Sequence, residues 1–333
     1  MDTSGQLAQL LALLSGDPTS SATLQSQLDA SQATVSRLLR RAGEHVLRIG
    51  RGRATRYAAT RRVLGGSNWV QPIFCVEELG RITQIATLRA LVAGSYVVEA
   101  LGPRAKAPLW LLGDAGDGVF PSLPYFLFDL RPAGFLGRQI ARRLAREGQT
   151  PPDPRDWTDE HIGAFLLHHG YDLPGALVVG EAAALRAQHH EPLIVNDRAE
   201  AYPRLANAAI RDEAPGSSAA GEQPKFAVYT RQAGHVIVKF SPSADSPEAQ
   251  RWRDLLRAEA HALQVLDESG RRAATSEIFS FEARVFLESR RFDRDAPDAP
   301  DDPDSPDARG VPGGRHLVFS LAMVDAEFAG VGM

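Results

Sequence analysis

Lysine is scarce in this chain: of 37 basic residues only Lys106, Lys225 and Lys239 are lysines, and arginine supplies the rest. Two of the three stand in segments suited to phosphate chemistry. Gly216-Ser217-Ser218-Ala219-Ala220-Gly221-Glu222-Gln223-Pro224-Lys225 opens with small residues that bend readily and offer backbone N–H groups to an anion, and it leads into the strand-like Phe226–Tyr229. His235-Val236-Ile237-Val238-Lys239-Phe240 is an apolar strand carrying a single lysine. In phosphoryl-transfer sites such a strand lysine holds the phosphates, paired with a glutamate from a following helix. Here the helical stretch Ala249–Leu266 follows, and Glu259 is the best-placed partner. A compact, rotatable ammonium suits a crowded phosphate site better than the planar guanidinium fork. By composition alone, Ser217 and Ser218 read as a plain flexible linker.

A second concentration of positive charge lies at the other end. Residues 1–65 hold nine arginines and no lysine against Asp2, Asp17, Asp29 and Glu44, which suggests a polyanionic partner for that end alone. The elements that would carry these arginines are legible. Leu7, Leu10, Leu11 and Leu14 share one helical face. Ser20-Ser21 offers an N-cap for a helix with Leu24 and Leu28. Ser31 caps a third helix, Gln32–Arg41, with Val35, Leu38 and Leu39 facing inward and Gln32, Thr34, Ser36, Arg37, Arg40 and Arg41 outward. The strand-like Val46–Ile49, the turn Gly50-Arg51-Gly52 and a return strand Thr55–Ala58 make a hairpin with Arg48, Arg51, Arg53 and Arg56 on or beside it. Three helices and a hairpin in this order predict a winged helix-turn-helix. Its third helix would enter a DNA major groove, and the hairpin arginines would meet phosphates or the minor groove.

Composition bounds the remainder. The chain has 333 residues, 44% hydrophobic and 23% charged, enough for two or three ordinary folded domains. Its single cysteine, Cys75, excludes an internal disulfide framework and fits a reducing cytoplasm, and no secretory signal is evident. The apolar runs around Ile85–Val98 and Pro108–Leu112 are too short or interrupted to span a bilayer. Arg61 through Ser67 reads as a hinge, Asp212–Gly221 as a flexible stretch, and residues 295–313, rich in Asp and Pro, as a disordered acidic insert. His168-His169 and His189-His190 are adjacent pairs, which point apart on a helix and read as surface residues rather than metal ligands. No metal site is expected.

The blocks GSSAAGEQPKF, HVIVKFSP, RWRDLLRAEAHAL, RVFLESRRFDR and GRHLVFSL resemble, in order, those of the HipA family of serine/threonine kinases, toxins of type II toxin–antitoxin systems. Upstream, FPSLPYFLFDLRPAGFLGR, Asp153–Trp157 and GYDLPGALVVG are similar to the family's N-terminal subdomain, and a winged helix in the same chain resembles the YjjJ-like branch. The resemblance implies an α+β fold: a winged helix over 1–65, a HipA N-terminal-like subdomain over 68–200, and the front lobe of a kinase-like domain over 201–333. It implies autophosphorylation at Ser218, with Ser217 as the adjacent alternative. Gly221, Gln223 and Lys225 would belong to a phosphate-covering loop, and Lys239, with Glu259, would hold the phosphates. Arg290 to Phe292 would form the segment that meets adenine, with Asp293 and Arg294 structural. ATP and Mg²⁺ are the implied cofactors. The implied partners are DNA, a second copy of the chain, and a protein substrate such as an aminoacyl-tRNA synthetase or a translation factor.

The family's catalytic loop and magnesium-binding aspartate follow the block matching GRHLVFSLAMVDAEFAG, and the sequence ends at Met333 without them. The expectation is a kinase disabled by truncation, with no catalytic residue in the chain and exposed apolar surface around Phe319–Phe328. The competing reading is a DNA-binding regulator that retains a non-catalytic kinase remnant.

Overall fold

The computed structural model describes residues 3–103, 106–211, 221–295 and 313–330. Ser217, Ser218 and the Asp/Pro-rich residues 296–312 lie outside the described residues.

Three helices come first. α1 (Thr3–Leu14), α2 (Ser21–Leu28) and α3 (Gln32–Ala42) bury Leu10, Leu14, Leu24, Val35 and Leu38 in one core. Ser20 and Ser31 cap α2 and α3 by accepting the N–H groups of Thr23 and Thr34, which satisfies donors a helix start leaves open. β1 (Thr19–Ser20) and β2 (Val46–Ile49) both pair antiparallel with β3 (Arg56–Arg61). Between β2 and β3 the chain turns at Gly50, whose φ is +76°; a Cβ there would stand 2.8 Å from the Ala54 carbonyl oxygen.

β3 does not end with the hairpin. Its last residues, Thr60 and Arg61, pair with Leu91 and Ala90, so the N-terminal strands join an eight-stranded sheet. That sheet continues through β4 (Gln71–Val76), β5 (Ile82–Leu91), β6 (Tyr96–Ala100), β7 (Val119–Phe120) and β8 (Leu177–Val179). The hinge expected over 61–67 is therefore corrected. Val63 and Leu64 are wholly buried, and Arg61 reaches both Glu160 and the Tyr96 hydroxyl. Leu64 lies so close to α7 (Asp159–His169) that a Cβ on Gly163 would fall 2.4 Å from its own. Leu47 and Ala58 of the hairpin share an apolar cluster with Leu91 and Val97 of the middle sheet. Around the sheet stand α4 (Leu109–Leu112), α5 (Tyr125–Phe128), α6 (Gly134–Arg146) and α8 (Glu181–His189). His169 and His190, expected at the surface, are half-buried: one stacks on Phe165, the other lies against Tyr171.

A second, five-stranded sheet has the order β12-β13-β11-β10-β9. Its strands are β9 (Ile194–Val195), β10 (Lys225–Thr230), β11 (Gly234–Phe240), β12 (Ser276–Phe281) and β13 (Arg284–Arg290), with β9 parallel to β10 and the other pairs antiparallel. β9 thus pairs into this sheet although it lies ahead of the expected 200/201 boundary. Alternation along the strands sets the two faces. Phe226, Val238 and Phe286 pack with Tyr202 of α9 (Arg198–Ile210) on one. Val285 and Leu287 pack with Leu256 of α10 (Pro247–Glu268) on the other.

A buried ion network joins this sheet to the middle part. Asp293 accepts from Arg291 at 2.8 Å, from Arg294 at 2.6 Å and from the Gly175 N–H at 2.8 Å. Arg294 also reaches Asp172 at 3.0 Å and the Leu173 carbonyl at 2.8 Å. Arg315 bonds the Tyr171 carbonyl. The ends of the acidic insert are fixed beside this network, because the Asp295 N–H donates to the Gly314 carbonyl at 3.0 Å.

The exposed apolar surface expected over Phe319–Phe328 is also corrected. α11 (Leu321–Phe328) lies against the middle core through Phe319, Met323, Val324 and Phe328, while Leu321 is 82% exposed. Phe319 lies tilted against Trp110 at 5.1 Å and Phe328 meets Tyr125 edge-on at 5.7 Å. Glu327 accepts the Asp114 N–H at 3.0 Å.

Candidate functional site

The two lysines meet on the α10 face of the second sheet. Lys225 and Lys239 are direct partners in the β10–β11 ladder, so their side chains leave the same face side by side. Lys239 Nζ is 2.5 Å from Glu259 Oε1. Glu259 faces the sheet because it lies three residues beyond the buried Leu256, on the same side of α10. That pair is partly open to solvent, whereas Lys225 is buried. Lys225 Nζ donates to the Gly221 carbonyl at 3.0 Å. Burial, and then the charge of Lys239, pushes its ammonium down to about 8. Two cations thus converge there, and among the described residues Glu259 forms an ion pair with Lys239.

Other expected nucleotide contacts are placed differently. Gly221 stands at the described end of the small-residue loop with φ +102°, and Gln223 is half-buried two residues on. Arg290 pairs with Val236, three residues from Lys239 along β11 and so about 10 Å away. Its Nε is buried without a hydrogen-bond partner among the described residues. Phe292 projects into solvent at 75% exposure. Asp293 and Arg294 sit in the buried ion network. Burial pushes the Asp293 carboxyl up, but the hydrogen bonds and charges of Arg291 and Arg294 outweigh it and hold it below the usual range.

At the N-terminal end, Gln32, Arg37, Arg40 and Arg41 are exposed on α3, with Thr34 and Ser36 partly so. Thr34 is drawn into the helix cap by Ser31. Arg48, Arg51, Arg53 and Arg56 are exposed on the hairpin.

Residues from α6 at the lysine site were missed by sequence reasoning. Phe135 N–H donates to the Gly221 carbonyl at 2.9 Å, and Arg138 pairs with Glu222. No periodicity links residues this far apart in sequence, so nothing local marks the contact.

Comparison with known proteins shows what these stretches are similar to. Residues 67–188 match the middle domain of YjjJ-like toxins, and residues 217–321 match the HipA-like C-terminal domain. Over these two stretches the chain is thus similar to HipA-like and YjjJ-like toxins. It is also 36% identical over 295 residues to toxin YjjJ of Escherichia coli strain K12, an alignment covering 86% of this chain and 63% of that relative. The chain thus spans less than two thirds of that relative's length. The HipA-like match contains the small-residue loop, both lysines and Glu259. The middle-domain match contains α6. Among the described residues no helix is long and apolar enough to cross a membrane.

Proposed function

We propose that this chain is a HipA-like toxin of the serine/threonine protein kinase type that grips ATP on the α10 face of its second sheet and carries its own DNA-binding winged helix. The Lys239–Glu259 ion pair carries the first half of the proposal. A strand lysine held by a helix glutamate is the arrangement by which kinases place nucleotide phosphates. Lys225 beside it adds a second cation, and Gly221 brings the loop backbone to the same place. The adenine would lie toward Arg290–Phe292, and Ser218 or Ser217 would be the autophosphorylated residue.

Among the described residues there is no group of three or more His, Cys, Asp or Glu side chains that could hold a metal ion. Lys225, Lys239 and Glu259 would supply the part of the site that positions the nucleotide phosphates. The deciding experiment is intact-protein mass spectrometry after incubation with Mg-ATP, beside Ser217→Ala/Ser218→Ala. An unmodified chain is the expected result. Added phosphate absent from the control would mean that residues 1–333 suffice for transfer.

The exposed arginines of α3 and the hairpin support the DNA-binding half, with Gln32, Thr34, Ser36 and Arg37 nearest the start of the helix that would read bases. The second reading is a DNA-binding regulator with a non-catalytic kinase remnant, and the pairing of β3 with the middle sheet couples the N-terminal module to the remainder in either case. DNA binding without measurable ATP affinity would select that reading.

A further inference from the structure

We infer that the first turn of α6, in the middle domain, is the positioning element for the phosphate-facing loop of the HipA-like domain, with Gly134 and Arg138 as the residues that set it. This rests on the reading of the Lys225–Lys239 face as a nucleotide site. Gly134 and Gly221 are pressed backbone to backbone, both at positive φ, +62° and +102°. A Cβ on Gly134 would meet Gly221 O at 2.4 Å and Gly221 N at 2.5 Å, distances at which backbone must move. The Gly221 carbonyl is a junction. It accepts the Phe135 N–H at 2.9 Å and the Lys225 ammonium at 3.0 Å, so one oxygen links α6, the loop and the buried lysine.

α6 is itself fixed to the HipA-like domain. The Phe135 ring packs into the core that holds Tyr202 and Phe226, and the Gln139 amide donates to the Ala209 carbonyl at the end of α9. Arg138, one turn along, pairs with Glu222, the residue after Gly221. That pair is exposed and contributes little by attraction alone. The glycine contact dominates, because a methyl group there displaces the carbonyl that holds Lys225. Reversing the Arg138 charge sets two carboxylates together and pushes the same loop outward.

The test measures Mg-ATP affinity of the full chain by isothermal titration, with thermal unfolding of each variant as the control for folding. Gly134→Ala is expected to weaken binding about tenfold or more, and Arg138→Glu about threefold. Arg138→Glu/Glu222→Arg is expected to restore it, a rescue that a merely structural role for Arg138 would not give. If Gly134→Ala fails to fold, the Arg138 series decides. An Arg138→Glu protein that binds like wild type, or a charge swap that rescues nothing, overturns the inference. A wild-type chain that binds no nucleotide overturns the proposed nucleotide site and takes this inference with it.

Discussion

The arginines of the N-terminal module stand in solvent on α3 and the β2–β3 hairpin, while Lys225, Lys239 and Glu259 of the HipA-like domain, and the arginines around Asp293, are buried, paired, or both. Arg48, Arg51, Arg53 and Arg56 need no fixed geometry to attract a polyanion, since a field summed over several charges does that work at long range. Lys239, Glu259 and Lys225 are held instead by a ladder register, a helix face and a loop carbonyl. The first arrangement suits a long, uniform charged partner, and the second suits a small ligand with phosphates in one place. The difference also bears on folding. A charge in water is nearly neutral for stability, whereas a buried one depends on every partner it has.

The largest test of this contrast is Asp293→Ala. It would leave Arg291 and Arg294 without their shared carboxylate and should lower stability by about 3–5 kcal/mol in urea or thermal unfolding. A loss near that of an exposed charge would mean the network is wetter than its geometry implies.

Lys239→Ala comes next. The fold should persist, and Mg-ATP affinity should fall about 10- to 100-fold, the order expected for losing a charge-assisted contact. Unchanged affinity would remove the nucleotide reading.

Acid stability should report His235. Burial pushes its imidazole down to about 4, with Asp172 opposing and Arg291, Arg294 and Arg315 assisting. Its folded value lies below the unfolded one, so between about pH 4 and 6.5 the unfolded chain binds more protons and stability rises with pH. His235→Phe should flatten that limb, by roughly 1–3 kcal/mol across the window. A limb of unchanged slope would assign it to other groups.

The smallest stability effect is expected from Arg51→Ala or Arg53→Ala, within about 0.5 kcal/mol of wild type. Duplex DNA affinity, followed by fluorescence anisotropy against salt, should nonetheless weaken, and each phosphate-contacting arginine removed should reduce the salt slope by about 1. A slope unchanged by both substitutions would place the DNA surface elsewhere.

Local signals in the sequence reach far into this molecule. The caps at Ser20 and Ser31, the apolar faces of α1 and α3, and the turn at Gly50 are each decided within a few residues, because capping and helical periodicity act over one or two turns. The lysine on an apolar strand and a glutamate one helix later were legible for the same reason: the strand alternates, the helix repeats, and Glu259 falls three residues after an apolar anchor. What the sequence did not disclose depends on contacts between distant segments. Arg61–Ser67 has the composition of a hinge, yet Leu64 against Gly163 and β3 against β5 make it a packed joint. The Phe319–Phe328 surface, apolar in sequence, found its cover on Trp110 and Tyr125. The junction at the Gly221 carbonyl exists only because α6 arrives there.

The sequence by itself thus determined which segments become helices and strands and where positive charge gathers. Those outcomes follow from propensity, alternation and spacing along one stretch of chain. Only the tertiary structure decided that Lys225 stands opposite Lys239, that Asp172 and Asp293 share their arginines, and that Gly134 presses on Gly221. Register, burial and backbone contact are properties of two segments at once, and neither segment specifies them alone.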